Sequence, residues 1–448
     1  MSIFNAVGYR AAIVFQCLIS RDFRHAVALL QKGDCMTREQ LEEMRNRAFI
    51  DLVHHCYQYV PYYKRLMDQY SIKPKNVQSL DDIHHFPVMT KESIRSARND
   101  LRATNLRWSC LERHSGGTTG EPFVWYIDPY ARVVETYAYF RGLQWMGWRP
   151  GMGIINLWGG SLGRPEKLPL RSYLRELAMG DVSLSAFDLS RDNALAYFET
   201  IKRAGPSVLI GYPSAILLLA NYAEELSIRD LPLVAVFPTA EQVPEIWSNR
   251  MARIFSCPVK SYYGSAEINS VGFQVQQEGP YWIADEHVYV EKLGDQDGQG
   301  IDEPGDLLFT SLYNYTYPLI RYAVGDMGTV ASPGELHPTR SCLRMFAGRS
   351  ADTFMREDGT HVPAIMANKA VTATGLPFKR YQFVQWELNK VELRYELMED
   401  IPSSEQVNEL ITILRSYIGA NLQVDLKQTS DFILTPARKH RAMISRLP

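Results

Sequence analysis

Between residues 151 and 237 short apolar runs alternate with helical patterns, and this alternation constrains the fold more than any other feature. Residues 151–157 read as a strand ending in the loop WGGSLG at 158–163. Residues 206–211 (PSVLIG) read as a second strand, 215–226 as a helix and 233–237 as another strand. Strands alternating with helices indicate a sheet with helices on both faces. Upstream, Thr37 and Gln40 have the spacing of a capping box. Leu41, Met44, Ala48, Leu52 and Cys56 then recur at helical spacing, which predicts a helix to about Tyr59, stopped by Pro61. Further helices are expected at 91–100 and 130–146, with a buried strand at 123–127.

Residues 306–310 (DLLFT) predict a strand, followed by a turn at 322–328. From about residue 348 the character changes. Strands at 387–397, a helix at 404–418 and a strand at 422–426 make a small α+β unit. The polar run GRSAD at 348–352 is its natural boundary, giving domains 1–348 and 349–448. A chain of 448 residues is too long for one simple core, so more than one domain is expected.

The net charge of −2, from 48 basic and 50 acidic residues, argues against a partner held by bulk electrostatics such as nucleic acid. The six cysteines show no CxxC spacing and the 10 histidines are dispersed, which argues against a zinc site and for reduced thiols in a cytoplasmic protein. The apolar run at 11–20 is too short to span a bilayer and reads as an amphipathic helix docked on the protein.

The run HSGGTTGEP at 114–122 gathers Gly116, Gly117 and Gly120 around Ser115, Thr118 and Thr119. Glycines let backbone approach a ligand closely, and exposed N–H groups and hydroxyls cradle anions such as phosphate. Further along stand YYGSAE at 262–267, PLIRYAVGD at 318–326, GRSAD at 348–352 and a basic tail with Lys439. An ATP-dependent enzyme needs phosphate donors, a Mg²⁺ ligand, groups for ribose and adenine, and a cation for charge building at phosphorus. The glycine run, Glu267, Asp326, Tyr262 with Tyr263, Arg349 and Lys439 supply these residue types. Each has an ordinary structural alternative. Glu267 also suits a helix start, the tyrosines a core or sheet, Asp326 a turn, Arg349 an ion pair, and Lys439 a solvated tail.

The order SGGTTG, YYGSAE, RYAVGD, GRSAD and terminal K-x-R resembles the adenylate-forming ligase superfamily. Within it the chain looks like the phenylacetate–CoA ligase branch and its capsular-polysaccharide-biosynthesis relatives. VPYYKRL at 60–66, FPVMTKESIR at 86–95 and LIGYPSAILLLANYAEE at 209–225 support the likeness, which runs from about residue 40 to the end. The resemblance implies an α/β fold with a large N-terminal domain of mixed sheets flanked by helices and a small mobile α+β C-terminal domain. It implies that a carboxylic acid is activated by ATP as its acyl-adenylate, with Mg²⁺, and passed to CoA, another thiol or an amine. No integral membrane segment is expected.

Carried over residue by residue, Ser115, Gly117, Thr118, Thr119 and Gly120 would form the phosphate loop, with Thr118 also catalytic. Ala240, Glu241 and Gln242 would border the adenine, and Tyr262, Tyr263, Gly264 and Ser265 would line the nucleotide site, with Tyr263 stacked on the base. Glu267 would hold Mg²⁺, Asp326 and Arg349 would bind ribose, and Lys439 would bridge the carboxylate and α-phosphate. Trp158, Gly159, Gly160 and Phe237 would border the acid. Gly116, Glu121 and Ala351 depart from the family pattern. They motivate the alternative, a nucleotide- or partner-binding protein on the same fold without catalysis.

Overall fold

In a computed structural model of the protein, the residues described are 20–105, 110–114, 124–158, 181–186, 188–241, 243–294, 304–349, 353–357, 361–363, 367, 370–371, 373–397, 401–434 and 441–447. Residues 11–19 of the helix expected at 11–20 lie outside them, as do residues 115–123, Gly159, Gly160, Gln242, Ala351 and Lys439.

The alternating segment forms a parallel four-stranded sheet in the order Asp181–Ser185, Gly153–Trp158, Ser207–Gly211 and Leu233–Pro238. Successive side chains of a strand point to opposite faces, and here both faces are covered. Ile155, Leu157, Leu209 and Val236 pack on one side, in a core shared with helices Ala194–Ala204, Pro213–Glu225 and Glu245–Phe255. Ile154, Val208, Ile210, Ala235 and Phe237 pack on the other, against Leu143 and Met146 of helix Pro129–Met146. All five residues of Ser207–Gly211 are therefore buried, as a strand covered on both faces requires.

A seven-stranded antiparallel sheet follows in the order Val288–Lys292, Gly305–Ser311, Tyr322–Ala331, Cys342–Arg349, Tyr281–Ile283, Gly272–Gln274 and Tyr262–Tyr263. Helix Arg38–Tyr59 lies in its core through Phe49, Leu52, Val53 and Cys56, packed with Leu307, Phe309 and Tyr322. The helix starts with the expected capping box: Gln40 N donates to Thr37 Oγ1 at 3.3 Å and Thr37 N donates to Gln40 Oε1 at 3.0 Å. A third apolar core joins helix Ser404–Ile418, through Leu410, Leu414 and Ile418, to Phe383, Val391 and Leu393. Those residues belong to a four-stranded sheet of Gln423–Gln428, Lys390–Leu397, Phe378–Glu387 and Met443–Ser445. This part touches the parallel-sheet layer where Ile246 packs against its core and the rings of Trp247 and Tyr381 meet at 6.4 Å.

Three expectations are corrected. Residues 322–328 are not a turn but the first part of strand Tyr322–Ala331, paired on both sides. Gly325 at φ +82° and the register shifts at Asp326, Met327 and Gly328 carry the irregularity that the sequence presents as a turn. Gly348 and Arg349, expected in a polar turn, end strand Cys342–Arg349. Residues 387–397 are not continuous strand: Glu387 pairs with Lys390 across a tight hairpin, and the preceding strand runs back to Phe378.

The two larger sheets are joined by a buried ionic cluster. Glu286 has no exposure. Arg141 donates to it from Nη1 to Oε1 at 2.7 Å and from Nη2 to Oε2 at 2.8 Å. Arg340 donates to the same two oxygens at 2.8 and 3.0 Å, and to Asp34 Oδ1 at 2.9 Å. Both guanidiniums lie over the Trp145 ring, at 4.4 and 4.5 Å from its centre. A Cβ on Gly33 would fall 1.9 Å from Glu286 Oε1, so helix Arg21–Gly33 approaches this closely only because residue 33 is glycine. Burial alone would raise the Glu286 carboxyl, but the two guanidiniums outweigh it and hold it far below the usual carboxylate range.

Removing one member of such a cluster strands the others in a dry interior. Glu286→Ala is expected to lower unfolding free energy by about 3–5 kcal/mol in denaturant titrations at neutral pH. Because the folded-state pKa is lowered, this contribution is complete above the ordinary value of 4.5 and is lost as pH falls through the lowered one. The gap between the two proteins therefore begins to narrow below about pH 4.5 and goes on closing as the solution becomes more acid.

Candidate functional site

The site is built where the carboxyl ends of the parallel strands meet the edge of the antiparallel sheet. Such ends are where open α/β sheets place ligands. Trp158 closes strand Gly153–Trp158, and its ring meets that of Tyr212, just past strand Ser207–Gly211, edge-on at 4.8 Å. Beyond strand Leu233–Pro238, Thr239 N donates to Gly211 O at 3.0 Å and Thr239 Oγ1 donates to Tyr262 O at 2.9 Å. One threonine thus ties both sheets together. Ala240 follows at φ +67°, the left-handed region. That conformation costs a residue with a Cβ about 1 kcal/mol or more and is found where the surroundings impose it. Glu241 Oε2 accepts from Ser214 N at 3.1 Å, at the start of helix Pro213–Glu225, where a helix favours negative charge.

From strand Tyr262–Tyr263 the chain enters a tight turn. Ser265 N donates to Ile268 O at 2.9 Å and Ile268 N donates to Ser265 Oγ at 3.0 Å. A Cβ on Gly264 would lie 2.8 Å from Ser270 N and 3.1 Å from Asn269 Oδ1. The turn therefore closes only over glycine. It directs Glu267 inward, to 7% exposure, where Oε1 accepts from the Tyr322 hydroxyl at 3.2 Å.

Tyr263 stands edge-on to Tyr281 and Phe309, and its hydroxyl donates to Asp326 Oδ2 at 2.5 Å. The Cα of Asp326 pairs across the sheet with that of Arg349. The structure thus brings Tyr263 to Asp326, with the backbone of Arg349 opposite, and ties Glu267 to Tyr322 on the same strand as Asp326. The adjoining sequence YYGSAE places Gly264 and Ser265 beside them.

Other expected residues have different surroundings. Tyr262 is a packing residue: its ring stacks on Phe273 at 6.0 Å and meets Tyr139 edge-on, and burial pushes its hydroxyl up to about 12. Phe237 is fully buried with Val208, Ile210, Phe273 and Ala284, which makes it a core side chain rather than a cleft wall. Ser115, Gly117, Thr118, Thr119, Gly120, Gly159, Gly160, Gln242 and Lys439 lie outside the described residues, as does the side chain of Arg349. Sequence reasoning missed Tyr322, the hydroxyl on Glu267, although it stands inside RYAVGD. It also missed Thr239, which carries no motif.

No family model matches the chain. Across 413 residues it is 22% identical to protein CapK of Staphylococcus aureus, covering 91% of this chain and 90% of that one. It is 26% identical over 379 residues to the phenylacetate–coenzyme A ligase of Thermus thermophilus, covering 82% and 83%. Among solved structures, 2-hydroxyisobutyryl-CoA ligase in the postadenylation state, in complex with 2-HIB-AMP, shares the fold at a TM-score of 0.70 and 17% identity, over 91% of this chain and 89% of that one. The likeness thus spans most of the chain: in sequence it is similar to protein CapK and to phenylacetate–coenzyme A ligases, and in fold to a CoA ligase.

Proposed function

We propose that this chain is an ATP-dependent ligase that activates a carboxylic acid as its acyl-adenylate and transfers the acyl group to a thiol such as that of CoA, or to an amine. The observation that carries this reading is the contact of Tyr263 with Asp326, 63 residues on, together with the bond that ties Glu267 to Tyr322 of the Asp326 strand, in the order that the superfamily resemblance requires. In the first half-reaction a carboxylate oxygen forms a bond to the α-phosphorus, the bond to the bridging oxygen breaks, and pyrophosphate leaves.

Asp326 would accept from the ribose hydroxyls, with the Tyr263 hydroxyl fixing its orientation. Arg349, across the sheet, would reach the same sugar. Ala240 and Glu241 would border the adenine. Glu267 fits a Mg²⁺ ligand, since the ion takes one or two carboxylates with phosphate oxygens and water, and the bound ion would offset phosphate charge. The glycine run from Ser115 to Gly120 would hold the phosphates. Trp158 would form part of the wall for the acid. Lys439, on a C-terminal domain of residues 349–448, would place its ammonium between carboxylate and α-phosphate. A lysine on a separate domain can be present for adenylation and withdrawn for transfer.

Carboxylate-dependent ATP–pyrophosphate exchange tests the reading across a panel of acids. Exchange is expected with at least one of them, and its absence throughout the panel would favour a binding protein on this fold. Lys439→Ala should slow exchange by about 10²–10³-fold, the usual loss when one group stabilising transition-state charge is removed. Unchanged exchange in that variant would remove Lys439 from the mechanism. Glu267→Gln is expected to raise the Mg²⁺ concentration needed for half-maximal exchange by about tenfold or more, measured by metal titration after chelation.

A further inference from the structure

Strands Leu111–His114 and Val124–Ile127 form a two-stranded antiparallel ribbon with His114 opposite Val124. The chain leaves this ribbon into the glycine-rich segment and returns through it. Arg113, in the first strand, places Nη1 3.6 Å from Oε2 of Glu135. Glu135 is 8% exposed and sits on helix Pro129–Met146. That helix begins directly after the ribbon and is fixed by Asp128, which accepts from Ala131 N at 2.7 Å. The other oxygen of Glu135, Oε1, accepts from Asn269 N at 3.4 Å. Asn269 lies two residues beyond Glu267, and its Oδ1 accepts from Ser270 N at 2.8 Å, inside the turn that Gly264 allows to close.

A single buried carboxylate therefore holds the ribbon with one oxygen and the Glu267 turn with the other. Burying such a group is a poor route to stability, because an apolar side chain of similar volume serves as well. Its value lies in geometry. Burial pushes the Glu135 carboxyl up to about 7, Arg113 and the Asn269 amide pull it down, and Asp128 adds to the push. Arg113 thus supports the charged form that binds it.

We propose that Glu135 is a positioning residue for the nucleotide: as a carboxylate it sets the spacing between the ribbon of the glycine-rich segment and the turn that carries Glu267. This rests on the ATP-dependent function proposed above. Glu135→Gln keeps the shape and an oxygen acceptor for Asn269 N but releases the ionic hold on Arg113. The test titrates MgATP into the full chain by calorimetry and measures both Michaelis constants in the exchange assay. MgATP affinity is expected to weaken about tenfold, as when an outer support of a ligand site is removed, with the KM for ATP rising in parallel. The KM for the acid should change by less than about twofold, and the melting temperature by no more than about 4 °C. Arg113→Gln should give the same pattern, and the double variant should be no weaker than either single, as coupled partners require.

Unchanged MgATP affinity in Glu135→Gln, or losses that add in the double variant, would overturn the positioning role. Binding of MgATP without exchange on any acid would remove the proposed reaction, and the binding titrations would still decide the role of Glu135. Failure of the unchanged chain to bind MgATP would remove both.

Discussion

The grip of Arg141 and Arg340 on Glu286 is the interaction on which the rest of the structure depends. Arg141 comes from the helix that covers one face of the parallel sheet, and Arg340 from the segment leading into the central antiparallel strand Cys342–Arg349. Glu286 sits in the connection between strands Tyr281–Ile283 and Val288–Lys292. Three elements are thus fixed by six polar atoms, all desolvated, with both guanidiniums lying over the Trp145 ring. Arg141 also donates to Leu30 O at 2.8 Å, so helix Arg21–Gly33 joins the same cluster. Charge alone would not justify the burial. Planar forks and a two-oxygen acceptor have one good mutual geometry, and that geometry sets how the two sheets meet.

The candidate site lies on the seam between the sheets, closed by Thr239 with a bond to each. Its acidic groups come from opposite directions: Glu267 from a turn after the edge strand, Asp326 from the long strand at the sheet's interior. Each is held by a tyrosine hydroxyl, Tyr322 for Glu267 and Tyr263 for Asp326.

Parts of this were legible in the sequence. Helix Ser404–Ile418 was readable end to end, because Ser403 and Gln406 mark its start and Leu410, Leu414 and Ile418 its buried stripe. The parallel strands were legible because continuous apolar runs are what burial on both faces demands. Strand Tyr322–Ala331 was not: its glycines and Asp326 carry turn chemistry, and pairing on both sides overrides it. The motif order pointed to Glu267, Asp326 and Tyr263, but it placed Tyr262 in the nucleotide site as well. Adjacent residues of a strand face opposite ways, and only the packed sheet shows which ring is enclosed by Phe273 and Tyr139.

The sequence by itself determined what depends on neighbours a few residues apart: the capping boxes, the periodicity of the covering helices, the alternation of strand and helix, and the linear order of the motifs. The tertiary structure alone decided the partners. Tyr263 and Asp326 are 63 residues apart, Glu135 and Asn269 are 134, and Arg141 and Glu286 are 145. No local propensity encodes such pairs. They form because the sheets pack in one way and each buried polar group must then find a partner at the position that packing leaves to it.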